Sequence, residues 1–137
     1  MNLFKVAALA ALVVSAGAMA TYPQQAQHST LKIYQQGNGN NATALQSNAF
    51  YSKTEIKQLG TVNGAKVGQG SDSSDIKLLQ DGYGNNATIS QWNGKNAQID
   101  VQQFGTNNGA VVNQTASSSL VSVTQFGNGN HATASQY

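Results

Sequence analysis

The chain has 137 residues, with seven lysines against five acids, two histidines, no arginine and no cysteine. A formal net charge of +2 spread over so few groups is no footprint for nucleic acid or an anionic membrane, and the missing cysteines exclude a disulfide framework. The length suggests one domain at most, and a composition rich in Gly, Asn, Gln, Ser and Ala is of the kind prone to β-stacking.

Residues 1–20 read as an export leader. Lys5 precedes an apolar run from Val6 to Val14, and a small-x-small close follows at Ala18-Met19-Ala20. The run is too short to span a bilayer, and no other run of ~18 apolar residues follows it. Cleavage is expected after Ala20, so that the mature chain begins at Thr21 with the short segment "TYPQQAQH" (21–28).

Five related units come next. They are "STLKIYQQGNGNNATALQ" (29–46), "SKTEIKQLGTVNGAKVGQ" (52–69), "SDIKLLQDGYGNNATISQ" (74–91), "AQIDVQQFGTNNGAVVNQ" (97–114) and "SLVSVTQFGNGNHATASQ" (119–136). Their starts are 23, 22, 23 and 22 residues apart. A fixed period in this range is the mark of a stacked repeat. A first glutamine recurs at Gln35, Gln58, Gln80, Gln103 and Gln125, and a second at Gln46, Gln69, Gln91, Gln114 and Gln136. Between them fall Asn40, Asn63, Asn85, Asn108 and Asn130, each preceded by a glycine two residues after the first glutamine. An alanine recurs at 42, 65, 87, 110 and 132, and serine opens four of the units, with Ala97 in its place in the fourth.

Within a unit the apolar residues alternate. Leu31, Ile33 and Gln35 share one face before the turn, as do Ile76, Leu78 and Gln80, while Ala42, Ala44 and Gln46 share one after it. Each unit is therefore strand–turn–strand, with Gly and Asn supplying positive φ at the turn. A hairpin meander of such units would bury no core. Coiling each unit once and stacking the coils predicts an all-β fold: a β-solenoid of five rungs with two facing parallel cross-β sheets. At ~4.8 Å per rung the stack stands roughly 24 Å tall, and like amides lie above like amides, able to hydrogen-bond along the column.

The ends of such a stack are expected to be adhesive. No polar cap is evident, unit five holds no Lys, Arg, Asp or Glu, and unit one holds only Lys32. A head-to-tail contact that does not close on itself makes filaments, so the pattern points to a secreted, self-assembling fibre subunit.

Other chemistries find little support. The "GNGNN" turns resemble phosphate loops, but no helix follows them. His28 and His131 lie far apart in sequence with no cysteine beside them, and Asp72 and Asp75 form no acid–base pair, so neither a metal site nor a catalytic residue is expected, and no cofactor. The "NAT" sequons at 41–43 and 86–88 recur with the repeat itself. Tyr34, Phe50, Tyr51, Tyr83, Trp92, Phe104 and Phe126 fall on outward faces or at turns, where they serve filament packing or adhesion. A polysaccharide-acting β-helix needs an acidic cluster, and an ice-binding solenoid needs regular threonine arrays. Neither pattern is present, and both folds would stay monomeric.

The pattern Ser-x5-Gln-x-Gly-x-Gly-Asn-x-Ala-x3-Gln resembles the curlin repeat, over 29–137 and in all five units. The "VGQGS" (67–71), "QWNGKN" (91–96) and "NQTAS" (113–117) stretches and the final "QY" are also similar to curlin text. The resemblance implies a structural subunit of curli, the extracellular amyloid fibres on the surface of Gram-negative enteric bacteria, serving biofilm matrix, adhesion and cell aggregation. It implies export through a dedicated outer-membrane pore with periplasmic accessory factors, nucleation by a minor curlin subunit, and contact with host matrix proteins. The nucleating subunit itself is the nearest alternative, but it usually carries a charged last repeat, unlike unit five. The resemblance also makes the terminal-unit residues Gln35, Asn40, Gln46, Gln125, Asn130 and Gln136 the drivers of assembly. Asp81, Gly82 and Asp100 become candidate gatekeepers that slow it. Residues 21–28 take the place of the family's longer Gly/Asn-rich segment, which addresses the chain to the pore.

Overall fold

The structure, a computed structural model, describes residues 19–21 and 24–137. The expected leader lies outside the described residues except for its last two. Twelve strands follow in order: β1 Met19–Thr21, β2 Gln24–Gln27, β3 Thr30–Gln36, β4 Asn41–Phe50, β5 Lys53–Thr61, β6 Gly64–Asp72, β7 Asp75–Tyr83, β8 Asn86–Lys95, β9 Gln98–Thr106, β10 Gly109–Gln114, β11 Leu120–Asn128 and β12 His131–Gln136.

The strands form two parallel sheets. One runs β3-β5-β7-β9-β11, and the other runs β4-β6-β8-β10-β12, with β1 and β2 both paired to β4. Thr30 lies beside Lys53, Lys53 beside Asp75, Asp75 beside Gln98 and Gln98 beside Leu120. Each step equals the spacing of the corresponding glutamines, so every coil returns the chain one strand along the stack. The result is a β-solenoid of five rungs with two facing sheets.

The period-two pattern places one face of each strand inside, because side chains alternate across a strand. Leu31, Ile33, Ile56, Ile76, Leu78, Ile99 and Val101 of the first sheet form a single buried cluster with Ala42, Ala44, Ala65, Val67, Ala87, Ile89, Ala110 and Val112 of the second. Large side chains on one sheet meet mostly small ones on the other, which lets the sheets interdigitate at core density. Val123 and Ala134 of the last rung are only partly buried.

The arches turn on glycine. Gly37, Gly60, Gly82, Gly105 and Gly127 form a column with φ between 102° and 131°, a region L side chains rarely enter. Space is as demanding as φ: a Cβ on Gly60 would lie 2.1 Å from the Gly82 carbonyl oxygen. Asparagine does not supply the positive φ in the way expected, since of the Asn column none takes it. The second left-handed position of the arch is filled by Gly39, Val62, Gly84, Asn107 and Gly129. At the joints between rungs, His28, Tyr51, Ser73, Asn96 and Ser118 also sit at φ of 50–55°. No glycine marks those bends in the sequence.

One end departs from expectation. Among the described residues the β3 edge is open, but β1 and β2 lie along β4, so the first rung is bare on one sheet only.

Candidate assembly surface

Two glutamine columns run the length of the core. In the first, Gln35 Nε2 donates to Gln58 Oε1 (2.6 Å), Gln58 to Gln80 (2.7 Å), Gln80 to Gln103 (2.8 Å) and Gln103 to Gln125 (2.8 Å). In the second, Gln46 donates to Gln69 (2.7 Å), Gln69 to Gln91 (3.0 Å), Gln91 to Gln114 (2.8 Å) and Gln114 to Gln136 (3.0 Å). Parallel stacking in register puts each amide above its twin, and the donor always points toward the C-terminal rung. Spare N–H groups reach backbone carbonyls across the core, as from Gln58 to Asn41 and Asn63, both at 3.1 Å. Thr54 ties the sheets together by donating to Gln69 Oε1 at 2.7 Å.

The asparagine column works differently. Here the side chains bind backbone: Asn40 Oδ1 accepts from the Asn63 N–H at 2.9 Å, Asn63 from Asn85 at 3.1 Å, Asn85 from Asn108 at 3.0 Å and Asn108 from Asn130 at 3.1 Å. Their Nδ2 groups donate to the arch-glycine carbonyls of the following rung, Gly60, Gly82, Gly105 and Gly127, at 3.0–3.1 Å. Asparagine thus satisfies the carbonyls that the positive-φ glycines leave inside the arch.

A third column was visible in the sequence without an assigned role. Ser29 Oγ accepts from the Ser52 N–H (3.1 Å), Ser52 from Ser74 (3.2 Å) and Ser74 from Ala97 (3.1 Å). The recurrence of serine at the unit starts was its signal. A second overlooked signal is "ATYPQ" (20–24), which repeats the Ala-Thr-x-x-Gln of 42–46, 87–91 and 132–136. The leader reading absorbed it, and the structure lays Ala20, Thr21 and Gln24 against β4.

The two ends of the stack are unlike. At the first rung Gln35 is fully buried, yet its Oε1 has no hydrogen-bond partner among the described residues. At the last, Gln125 Nε2 donates to Gly109 O at 3.0 Å and Asn130 Nδ2 to Phe126 O at 2.7 Å, both within the chain. Equivalents of both groups in the inner rungs also reach the next rung. The inward residues of β12 are half-buried, unlike those of β10. One end offers a buried acceptor and the other offers donors and a half-covered core.

The candidate gatekeepers lie on or near the surface. Asp81 is exposed, in a column with Leu59 and Phe104, and Asp100 lies beside Lys77 and near Gln102, whose Nε2 donates to it at 3.3 Å. Gly82 is one of the five arch glycines. The outward column Lys32, Glu55, Lys77, Asp100 alternates in sign, which favours this register between neighbouring strands. A 2.9 Å ion pair joins Lys53 to Glu55. The hydrogen bond from Lys53 holds the Glu55 carboxyl below the usual carboxylate range, and the same bond raises the Lys53 ammonium. Phe104 and Phe126 stack with centroids 4.9 Å apart, and Phe126 remains exposed. Among the described residues no three His, Cys, Asp or Glu side chains converge as a metal site would require.

Residues 71–105 and 94–127 match the curlin associated repeat. The chain is 54% identical over 87 residues to the major curlin subunits of Salmonella typhimurium, Salmonella typhi and Salmonella enteritidis. Those alignments cover 53% of this chain and 58% of each relative.

Proposed function

On the premise that this chain belongs to the curlin family, we propose that it is the repeating subunit of an extracellular curli fibre, growing by head-to-tail stacking of one solenoid on the next. The observation that supports this best is the unpartnered, fully buried Oε1 of Gln35. A buried acceptor left unsatisfied costs about 1–3 kcal/mol. Continuing the ladder direction, Gln125 of a second copy would donate to it, and Asn130 of that copy would cap the Gly37 carbonyl as Asn40 caps Gly60. Val121 and Val123 would stack on Leu31 and Ile33, and Ala132, Ala134 and Gln136 on Ala42, Ala44 and Gln46. The repeat thus continues across the junction.

In this reading Gln35, Asn40, Gln46, Gln125, Asn130 and Gln136 form the junction, and the inner glutamines and asparagines hold the rungs. The fibre serves biofilm matrix, surface adhesion and cell aggregation. Its other partners are the minor curlin nucleator, the outer-membrane secretion pore with its accessory factors, and host matrix proteins. Residues 1–20 act as a leader removed after Ala20, and 21–28 meet the pore. Asp81 acts as a gatekeeper by setting a lone anion in the outward column between Leu59 and Phe104. Asp81→Asn should shorten the assembly lag followed by amyloid-dye fluorescence, and an unchanged lag would remove that role.

Fibre diffraction of residues 21–137 tests the main reading. Reflections near ~4.7 Å and ~10 Å are expected once fibres form. A solution that never yields fibres and keeps only folded, monodisperse monomer would sink it.

A further inference from the structure

The two sheets end differently at the first rung. On one, β3 is the edge. On the other, β1 and β2 cover β4 in parallel. Their register is that of one more rung. Met19 lies beside Asn41, Ala20 beside Ala42, Thr21 beside Thr43 and Gln24 beside Gln46. The offset equals that of β12 on β10, where Ala110 lies beside Ala132 and Gln114 beside Gln136. The residues agree with the register, since Ala20, Thr21 and Gln24 reproduce Ala132, Thr133 and Gln136. Residues 19–21 and 24–27 therefore imitate the second strand of a unit, in sequence and in position.

We propose that residues 19–27 are a half-rung plug, a mimic of β12 seated where β12 of the next copy must stack. This rests on the head-to-tail reading above. Plug and incoming strand compete for one edge, so growth at the first-rung end requires the plug to leave. The segment is good enough to hold the edge and poor enough to lose it. Pro23 has no N–H to give a ladder, and the register slips after Gln25, so that Gln27 lies beside Phe50. Among the described residues no first strand accompanies the plug to cover β3. An incoming copy can therefore dock its β11 on the open β3 edge, where Gln35 Oε1 awaits a donor, and its β12 can then peel the plug from β4. Removal of the leader after Ala20 takes away two of the three β1 residues. An unprocessed chain would thus be held back from stacking more firmly than a processed one.

The test compares residues 21–137 with the same chain carrying Gln25→Pro, which removes a ladder N–H that faces β4 and touches none of the five units. Loss of one net backbone hydrogen bond should open the edge up to about tenfold more often and shorten the lag accordingly. An unchanged or longer lag overturns the plug. Hydrogen exchange reads the same point without substitution. The Gln25 amide, which faces β4, should be protected in the monomer and unprotected in the fibre, with β4 protected in both. Protection of the segment in the fibre overturns the proposal. Fibres that form with these readings unmoved sink the plug alone, whereas failure of every chain to form fibres sinks the head-to-tail reading with it.

Discussion

A buried amide is tolerated only when it is paired, and here each glutamine is paired by its own copy one rung away. Gln80 shows what that dependence means. It accepts from Gln58 at 2.7 Å and donates to Gln103 at 2.8 Å. Gln80→Leu would leave one buried donor and one buried acceptor without partners, at about 1–3 kcal/mol each. We expect a loss of about 2–5 kcal/mol in urea unfolding of the soluble monomer. Val62 carries the opposite lesson. A β-branched residue at φ 58° stores strain at a place where three other rungs have glycine and one has asparagine. Val62→Gly should stabilise by about 1 kcal/mol, read as a raised unfolding midpoint. The glutamine columns were legible because recurrence and parity agree. The bends were not. His28, Tyr51, Ser73, Asn96 and Ser118 share a left-handed conformation but no residue type, since the stacked joints impose it from outside. Gly68 and Gly70 hide their reason as well: they are flat places on a strand over which Trp92 lies, its ring 2.2 Å from where a Cβ of Gly70 would be.

At the scale of strands, register is fixed inside by the glutamine ladders and outside by charge. The pair Lys53–Glu55 is half exposed, at 38% and 44%, so solvent screening limits it to under about 1 kcal/mol. Its pH window follows from the directions of the shifts. The Glu55 carboxyl is lowered, so its contribution is present above the ordinary carboxylate pKa of about 4.3 and lost as pH falls through the lowered value. The Lys53 ammonium is raised, so its contribution is present below about 10.4 and lost as pH rises through the raised value. Every buried polar side chain among the described residues is Gln, Asn, Ser or Thr, so nothing inside titrates. The urea midpoint should be flat from about pH 5 to 9, with a small fall below about pH 4 that Glu55→Gln removes. The strands themselves, their inward faces and the two-sheet stack were readable from period two and a fixed unit spacing. The strands β1 and β2 were not, because a leader signal and a half-repeat overlap in the same residues, and the leader reading takes precedence when no partner strand is in view.

At the scale of the molecule, the arch glycines make the stack directional. A Cβ on Gly37, Gly60, Gly82 or Gly105 would strike the glycine carbonyl of the following rung at 1.8–2.1 Å, whereas one on Gly127 would meet only Asn130 Nδ2, at 3.4 Å. Gly127→Ala is therefore the one substitution in this column that spares the contacts inside the chain, although its φ of 111° still carries strain. In a fibre the added methyl would meet the Gly37 carbonyl of the next copy. The variant should join a wild-type fibre through its first rung and then stop growth at its last. A few per cent of it, mixed into wild-type protein, should shorten fibres seen by electron microscopy and lower the final growth rate. Fibres of unchanged length would count against glycine-to-glycine stacking at the junction.

Tyr51 and Phe126 are 69% and 70% exposed. In a continuous stack each would recur once per chain, about every 24 Å along the axis. A contact too weak to matter on one subunit then becomes one tooth of a long comb. Any surface bearing flexible, repeated groups could engage many teeth together, and the second engagement would proceed at millimolar effective concentration without any new chemistry. Grip on such a surface would be set by how many subunits lie in line, so fibre length itself would act as the affinity control.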